Sequence, residues 1–551
     1  MELTDTCPGA LQGTSSSLFL TLIQLLIARK CEFDLTERYP RDIGPQLQDG
    51  DGFDFIVVGA GSAGSVVASR LSENPEWRVL LLEAGSYPSP DSEIPGLMTT
   101  LQAGGQSWNY HSEASERMRS KDRKRCPRGK GLGGTSLINF MLYLRGNSFD
   151  HDSWAKAGND GWDFNTVLPH YQKFENLHGE STDDFGKEGE LKLGRAIYDF
   201  PIYNKMIESY AELGYRHDYS ERKPSGSIFA PTTISAGRRQ SAAKAFLGEK
   251  DRRNLLVALN CQVSKLLVDH ELDVKGVEVR VKDKLIKLYA TKEVIVSAGT
   301  VNSPQILMNS GIGPRAHLES LGIAVKKNLK VGENLQDHVH ISSLFYKLDR
   351  AALPGPFEPN QIDLLYDYFV HGKGFLAEMG ANFFGFVNLK NTTGPHNFQI
   401  GNVALPKHLL RTPKDGLLDA MELPEAAINT ILEANKVSHL IQFVPLLSYP
   451  KSRGKVLLKS RDPFDEPLIY PNYLGDDSDA AGLVEVIRFV QRLMSTDAVR
   501  DYRPELVEIP LGDCLGFVFD TDEYWDCYVR HILRSAFHLV GTCKMGPATD
   551  G

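Results

Sequence analysis

The sequence predicts a mixed α/β protein with more than one domain, on three observations. A short apolar run at residues 53–58 leads directly into a glycine-rich segment at 59–64, and a helix-compatible segment follows at 65–71. A second apolar run at 78–83 completes a strand–helix–strand unit of the length that a parallel sheet requires. The 551 residues exceed the roughly 100–200 of an ordinary domain, so we expect two lobes.

The middle of the chain predicts further strands. Residues 255–259, 263–268, 275–281 and 287–289 alternate or cluster apolar side chains with short connections, which is typical of a strand meander. Residues 293–299 predict another buried strand that ends in small residues. Residues 341–447 are less regular and mark a second lobe, with a predicted helix at 424–436. Helical periodicity returns at 479–496.

Composition excludes several other classes. Hydrophobic residues make up 42% and charged residues 24%, which excludes a disordered chain, a collagen-like fibre and a disulfide-dense miniature. The net charge of −9 lacks the excess of positive charge that binds nucleic acid, so no nucleic-acid partner is expected. Seven cysteines without a CxxC pair predict buried thiols and no metal site, with one or two bridges possible in a secreted protein.

The N-terminal extension, residues 1–52, contains one apolar stretch at 18–28. It is far shorter than the ~20 residues that span a bilayer, so no transmembrane segment is expected. A signal peptide and an amphipathic helix packed on the body both remain open, because Glu2 and Asp5 precede the stretch and Arg29 follows it. We expect a soluble protein, secreted or cytoplasmic. The sequon that begins at Asn391 would be glycosylated only on the secretory route.

The glycine-rich segment has the spacing of a dinucleotide-binding turn. Gly59 would permit a tight turn, Gly61 a close approach of the backbone to a pyrophosphate, and Gly64 close packing of helix on strand. The N-terminus of the helix would direct free N–H groups at the phosphates. Glu83 ends the second strand, where a carboxylate can accept two hydrogen bonds from a ribose diol. This pattern does not separate NAD from FAD.

A second glycine-rich segment lies at residues 127–139. Gly133 and Gly134 would let the backbone approach a planar or charged ligand. Thr135 adds a hydroxyl group and Arg128 adds positive charge. Taken alone, the segment could also be a simple loop.

Five blocks, at residues 129–152, 299–313, 331–338, 452–474 and 538–546, together resemble one family. They are similar, in the same order, to motifs of the glucose–methanol–choline (GMC) oxidoreductases, which are FAD-dependent enzymes that oxidise alcohols. The similarity runs from about residue 53 to the end. The N-terminal pattern and the block around 145–162 most resemble the insect branch, which includes FAD- and quinone-dependent glucose dehydrogenases.

The resemblance implies a domain organisation and a cofactor. Residues 53–340 would mainly form a Rossmann-like FAD-binding domain, 341–447 a substrate-binding lobe built on an antiparallel sheet, and 448–551 a C-terminal domain. Asn139 stands where some members carry a flavin-linking histidine, so non-covalent FAD is expected. The positions matched to FAD are Gly59, Gly61, Ser62, Ala63 and Gly64 at the pyrophosphate, Glu83 at the ribose, Gly133, Gly134, Thr135, Asn139 and Met141 at the flavin and ribityl side, and Val263 at adenine.

His538 matches the family's first active-site histidine, among 15 histidines in the chain. The resemblance implies that it takes the hydroxyl proton of the substrate while flavin N5 accepts the hydride. The alcohol, which could be a sugar, a sterol or a small alcohol, stays open. The electron acceptor, a quinone or oxygen, also stays open, although the insect-type similarity favours a dehydrogenase. A hydroxynitrile-lyase-like member without redox chemistry and an inactive paralogue are the alternatives.

The family's second catalytic position, a histidine or asparagine, would lie beyond Gly551. On this ground we expect a truncated chain that binds FAD weakly and turns over poorly. The absent block would include a strand of the FAD-binding sheet, and loss of a buried strand leaves sheet edges unpaired.

Overall fold

The structure is a computed structural model that describes residues 36–120, 122–178, 184–195, 200–248, 252–349, 352–353, 361–392, 394–412 and 416–547. The apolar stretch at 18–28 and two of the cysteines, Cys7 and Cys31, lie outside these ranges. Within them, every helix is too short or too polar to cross a membrane.

The first sheet contains the predicted strand–helix–strand unit. Its strand order is Leu255–Ala258, Val79–Leu82, Gly52–Val58, Lys284–Val296, Val274–Val281 and Cys261–Val268. The first four strands pair in parallel, and the last three pair antiparallel as a meander. Alternate residues of the central strand pack on opposite faces, as Val57 and Ile56 do, and both are fully buried. Burial on both faces explains why this strand is a continuous apolar run.

Helices cover both faces of this sheet. The helix Ser62–Leu71 packs on one face, and the helix Gly299–Asn309 packs on the other. The first helix begins three residues before the predicted 65–71, because the glycine-rich segment already contributes its first turn. The predicted strand at 293–299 ends at Val296, and Gly299 is the first residue of the second helix.

One strand differs from the sequence prediction. Residues 287–289 and 293–299 were expected to form two strands, but the structure has one strand of 13 residues, Lys284–Val296. Its first half pairs antiparallel with Val274–Val281 and its second half pairs parallel with Gly52–Val58. The apolar pattern changes because the strand changes partner, and the chain does not turn there.

The second sheet is antiparallel, as predicted. Its main path is Glu505–Leu506, Leu344–Leu348, His439–Leu447, Phe398–Leu405, Phe383–Val387 and Gly226–Phe229. The short strand Val339–His340 pairs with both His439–Leu447 and Arg534–Ser535. The helices packed in the same core are Pro201–Glu212, Glu425–Val437, Asp477–Leu493 and Asp522–Ile532. Two of these lie within one to three residues of the predicted helices at 424–436 and 479–496.

The other elements are short. The remaining α-helices are Met98–Leu101, Ser148–Lys156, Phe164–Phe174, Ala242–Phe246, Arg315–Ser320, Gln361–His371 and Gly416–Ala420. The remaining strands pair two by two: Tyr110–His111 with Arg125–Cys126, Glu175–Asn176 with Leu191–Lys192, Ile234–Ser235 with Arg238–Arg239, Ile312–Gly313 with Lys327–Asn328, and Lys455–Leu457 with Leu468–Tyr470.

One disulfide forms, within the one or two bridges that the sequence leaves open. Cys514 and Cys527 are bonded, 13 residues apart, whereas Cys126 and Cys261 are free and buried, as expected, and Cys543 is free but exposed. The loop after Cys514 turns back so that the helix Asp522–Ile532 presents Cys527 to it. The spacing of the two cysteines in the sequence does not reveal this contact.

Candidate active site

A cavity of about 730 Å³ lies at the carboxyl ends of the parallel strands. Val58, Leu82 and Val296, the last residues of three neighbouring strands, line its floor. Ligands of open α/β sheets bind at this edge. The volume falls within the roughly 300–1,000 Å³ of small-molecule and cofactor sites.

The first glycine-rich segment is shaped by two close contacts. Gly59 has φ +95°, and a Cβ atom there would lie 2.7 Å from the carbonyl oxygen of Ser297. A Cβ atom on Gly64 would lie 1.8 Å from the carbonyl oxygen of Gly59. The helix can therefore pack this closely on the strand only because both positions lack a side chain.

The two glycine-rich segments touch each other at the cavity. A Cβ atom on Gly134, whose φ is +53°, would lie 2.5 Å from Cα of Gly61. A Cβ atom on Gly61, in contrast, would have no heavy atom nearer than 3.8 Å. The packing of the protein alone therefore does not require glycine at position 61, and its bare Cα forms part of the cavity wall.

The N-terminus of the helix Ser62–Leu71 lies in this wall. Its N-cap is Gly61, which has no side chain that could accept a bond from the first N–H groups, and Gly61, Ser62 and Ala63 all line the cavity. Free N–H groups and the positive end of the helix dipole suit a phosphate. The arrangement fits the pyrophosphate of a dinucleotide.

Glu83 lies at the other side of this turn, where its carboxylate accepts hydrogen bonds from the backbone. One oxygen accepts a hydrogen bond from the N–H of Ala60 and the other from that of Gly85, both at 2.9 Å. Burial raises the pKa of Glu83 to about 6, although hydrogen bonds from Gly85, Ala60 and Gly131 act against the rise. Each carboxylate oxygen can accept a second bond, so Glu83 can still bind the ribose diol.

The structure places most of the predicted cofactor residues at one cavity. Those that line it are Gly59, Gly61, Ser62, Ala63, Glu83, Gly134, Thr135 and Val263. Those that do not are Gly64, Gly133, Asn139 and Met141.

Asn139 is held by a residue that the sequence analysis missed. Its side-chain oxygen accepts bonds from the N–H of Met141 at 3.1 Å and from Nη1 of Arg239 at 2.7 Å. The guanidinium of Arg239 is buried and also donates to the carbonyl oxygen of Ser92 at 2.7 Å. No local signal in the sequence marks Arg239, because its partners lie 100 residues or more away.

His538 lies in the segment that enters the cavity wall at Val540 and Gly541. The residue as a whole is exposed, and its Nδ1 lies 3.1 Å from Nδ1 of His338. His338 is the last residue of the family block at 331–338, and the resemblance assigns it no role. The contact joins residues 200 positions apart, so the spacing of residues alone could not find it.

Asp337 holds the backbone of this segment. Its carboxylate accepts bonds from the N–H of His538 at 2.9 Å, from the hydroxyl of Tyr473 at 2.7 Å and from that of Ser535 at 2.5 Å. Arg128 donates to the carbonyl oxygen of Phe537. Burial raises the pKa of Asp337 to about 6, against the effect of these hydroxyl groups and of Arg128.

The two histidines are held neutral. Desolvation by the surrounding protein lowers the pKa of His538, and the neighbouring His338, Arg128 and His340 lower it further. Burial also lowers the pKa of His338. A neutral imidazole has a free lone pair and can accept a proton at neutral pH.

Comparisons with known proteins show which chains this one resembles. The sequence model described as GMC oxidoreductase matches residues 53–340 with its N-terminal part and 450–551 with its C-terminal part. A relative from Drosophila pseudoobscura pseudoobscura, glucose dehydrogenase [FAD, quinone], is 36% identical over 100% of this chain and 86% of its own length. Ecdysone oxidase of Bombyx mori is 32% identical over 99% of this chain and 81% of its own length.

The solved structures bear out the mixed α/β fold. A formate oxidase from Aspergillus oryzae superimposes with a TM-score of 0.77 at 24% identity, covering 92% of this chain and 90% of that one. At this identity the likeness concerns the fold alone.

Proposed function

The chain belongs to the GMC oxidoreductase family, FAD-dependent enzymes that act on CH–OH donors, and we propose that His538 is its catalytic base. The observation that carries this proposal is the position of His538, an exposed residue beside the cavity that would hold the cofactor. The substrate hydroxyl would give its proton to this ring. Bound FAD would supply the hydride acceptor.

The cavity fits FAD through contacts of this chain's own residues. Gly61 leaves room for the close approach of a pyrophosphate, and the N-terminus of the helix at Ser62 would face its charge. Glu83 would bind the adenosine ribose. We propose that FAD is held non-covalently, because the amide of Asn139 offers no imidazole for a flavin link.

The donor is proposed to be a sugar or sterol alcohol and the acceptor a quinone, so that the chain acts as a dehydrogenase. This rests on the names of the relatives, a glucose dehydrogenase that uses FAD and quinone and an ecdysone oxidase. Residues 341–447, which supply most of the second sheet, are proposed to form most of the substrate lobe. The disulfide Cys514–Cys527 supports an oxidising compartment and hence the secretory route.

The test is anaerobic reduction of the bound flavin by a panel of sugars, sterols and small alcohols, read from bleaching of its visible absorbance. One class should reduce the flavin, and dye-linked turnover should exceed oxygen consumption. His538→Ala should slow reduction about 10²–10⁴-fold, the usual contribution of a general base. His270→Ala, at an exposed histidine of the meander, is the control.

Two outcomes would contradict the proposal. Rapid reduction in the His538→Ala variant would remove the histidine from its role. Cleavage of a cyanohydrin without any bleaching would favour the non-redox alternative.

A further inference from the structure

A second cavity, of about 700 Å³, lies apart from the one that would hold the cofactor. The two cavities share no lining residue. None of the five family blocks contributes a residue to the second cavity. Its volume also falls within the roughly 300–1,000 Å³ of small-molecule sites. The proposed function therefore leaves this cavity unexplained.

Four separate stretches of the chain form the walls of the second cavity, at residues 38–39, 189–192, 235–248 and 368–372. The third stretch includes the helix Ala242–Phe246, and the fourth contains the C-terminal end of the helix Gln361–His371. These two walls touch each other, since a Cβ atom on Gly237 would lie 2.5 Å from the carbonyl oxygen of Gly372. The cavity is therefore bounded by packed structure at this point.

Aromatic rings line the interior of the second cavity. Tyr39 and Tyr368 are only 6% and 4% exposed, and Phe369 is partly buried. The rings of Tyr368 and Phe369 lie 5.3 Å apart with their planes at 68° to each other. A further ring inserted beside them could make the tilted and offset contacts that aromatic side chains prefer. The interior therefore suits a planar, apolar group.

Cationic side chains lie at the mouth and along the wall. Arg38, Lys192 and His371 line the cavity and are exposed to solvent. Arg238 and Lys244 line it at intermediate exposure. Positive charge therefore borders the aromatic interior on the side that faces the solvent, where the charged end of a bound molecule would remain.

The nearby negative charges do not cancel this excess. Of the described residues that line the cavity, Glu190 is the only acidic one, and its carboxylate accepts two bonds from Arg70, at 2.6 and 2.9 Å. Glu93 does not line the cavity and pairs with Nζ of Lys244 at 2.5 Å. The C-terminus of the helix Gln361–His371 adds about half a negative charge. The arginine and lysine side chains of the lining outnumber these charges.

We propose that the second cavity is a ligand site for a small organic anion that contains an aromatic ring. The ring contacts the buried aromatic side chains, and its carboxylate, sulfonate or phosphate group stays at the mouth beside Lys192 and Arg38. Hydrogen bonds between ionised groups are stronger than those between neutral groups, and a positive mouth draws anions towards it. A neutral ring or an anion without a ring makes only part of these contacts.

Three probes that differ in one property each test this ligand class. 1-Naphthalenesulfonate has both ring and charge, 1-naphthalenesulfonamide has the ring without the charge, and methanesulfonate has the charge without the ring. Each is titrated by calorimetry into the full chain saturated with FAD, so that the cofactor occupies its own cavity. We expect one naphthalenesulfonate site per chain and at least tenfold weaker binding of the other two probes. Absence of naphthalenesulfonate binding, or equal affinity for the sulfonamide, would overturn the proposal.

Two charge-reversal variants show where the anionic group binds. Lys192→Glu and Lys284→Glu change the net charge equally at exposed lysines, but only Lys192 lines the cavity. Lys192→Glu should weaken the binding of naphthalenesulfonate at least tenfold and have little effect on the sulfonamide. Lys284→Glu should bind both probes as the wild type does. Flavin reduction by an alcohol should be unchanged in Lys192→Glu, so this result does not depend on the proposed role of His538.

A second pair of variants tests the ring contact. Phe369→Ala removes a lining ring, and Phe375→Ala removes an exposed ring outside the cavity. Phe369→Ala should weaken naphthalenesulfonate and the sulfonamide by a similar factor, and Phe375→Ala should weaken neither. Melting temperatures show whether the variants fold. Wild-type affinity in Lys192→Glu would place the binding elsewhere and overturn the proposal, and the lysine pair decides alone if Phe369→Ala does not fold.

Discussion

At the scale of single residues, the cavity contains two kinds of glycine. Gly64 is needed for the fold, because a Cβ atom there would meet the carbonyl oxygen of Gly59 at 1.8 Å. Gly61 has room for a Cβ atom as far as the protein is concerned, and its φ of −76° suits any residue. Its bare Cα matters only if something else approaches it from the cavity.

Alanine substitution distinguishes these two roles. Gly64→Ala should lower the free energy of unfolding by about 1–3 kcal/mol or more, as overpacking does. Gly61→Ala should leave the melting temperature of the flavin-free protein unchanged and weaken FAD binding at least tenfold. Thermal melts and titration of flavin fluorescence measure the two effects. Wild-type FAD affinity in the Gly61→Ala protein would contradict the proposed pyrophosphate site.

Asn139 leads to a prediction about the cofactor link. Its amide is bound by Met141 and Arg239 and has no imidazole that could join a flavin. Acid precipitation of the flavin-loaded protein should therefore release all the flavin into the supernatant, where chromatography identifies it as FAD. Yellow colour that stays in the precipitate would show a covalent link elsewhere.

The sequence allows residue-level predictions only where the physics is local. The turn from Gly59 to Gly64 and the carboxylate of Glu83 follow from spacing within one strand–helix–strand unit. His338 and Arg239 were missed because each acts on a residue 100 or more positions away. The bond of Glu83 to the backbone of Ala60 was missed for a different reason, since its ligand role was the only one considered.

At the scale of elements, the His538 segment depends on what precedes it. The helix Asp522–Ile532 leads into the strand Arg534–Ser535, which pairs with Val339–His340. The disulfide Cys514–Cys527 anchors the middle of that helix to the preceding segment. The disulfide therefore stabilises the helix and the strand that directly precede His538.

Removing this disulfide should cost about 3 kcal/mol of unfolding free energy, the value expected for a loop of this length. The variant is Cys514→Ala with Cys527→Ala, and urea unfolding is the measurement. Dithiothreitol should destabilise the wild-type protein by a similar amount and have no further effect on the variant. Equal stability of the oxidised wild type and the variant would contradict the prediction.

Apolar periodicity identified the strands of the first sheet, but it missed the strands of the second sheet and predicted pairing partners poorly. The strand Lys284–Val296 was split in two because its pattern changes at the point where it exchanges one neighbour for another. Residues 341–447 seemed irregular, yet they contain four strands of the second sheet. These strands are buried on both faces, as Phe383–Val387 is throughout, and therefore do not alternate.

At the scale of the whole molecule, acid should destabilise the fold through buried neutral histidines. His396 is an example: burial lowers its pKa to about 4, whereas an unfolded histidine titrates near 6.5. Between these values the unfolded chain binds a proton that the folded chain does not. Stability therefore falls as the pH falls, by at most about 1.4 kcal/mol per pH unit for this group.

His396→Asn tests this contribution, because an amide N–H can still donate to the carbonyl oxygen of Pro224. The variant should lose less unfolding free energy than the wild type between pH 6.5 and 4.5, as measured by urea unfolding. His270→Asn, at an exposed position, should behave as the wild type. Glu83 and Asp337 have raised pKa values, so they increase the stability of the fold as the pH falls. Both residues are present in all three proteins and therefore do not affect the comparison. Parallel curves for all three would contradict the assignment.

The strand Lys284–Val296 also has a consequence for biosynthesis. Val58 pairs with Val296, which follows it by 238 residues. A ribosome that adds roughly 5–20 residues per second needs about 12–48 seconds to make that stretch. For this time the strand Gly52–Val58 has an open edge that invites wrong pairing. The wall of the cavity at Ser297 and Thr300 does not yet exist. The cavity is therefore complete only after these later residues have been made.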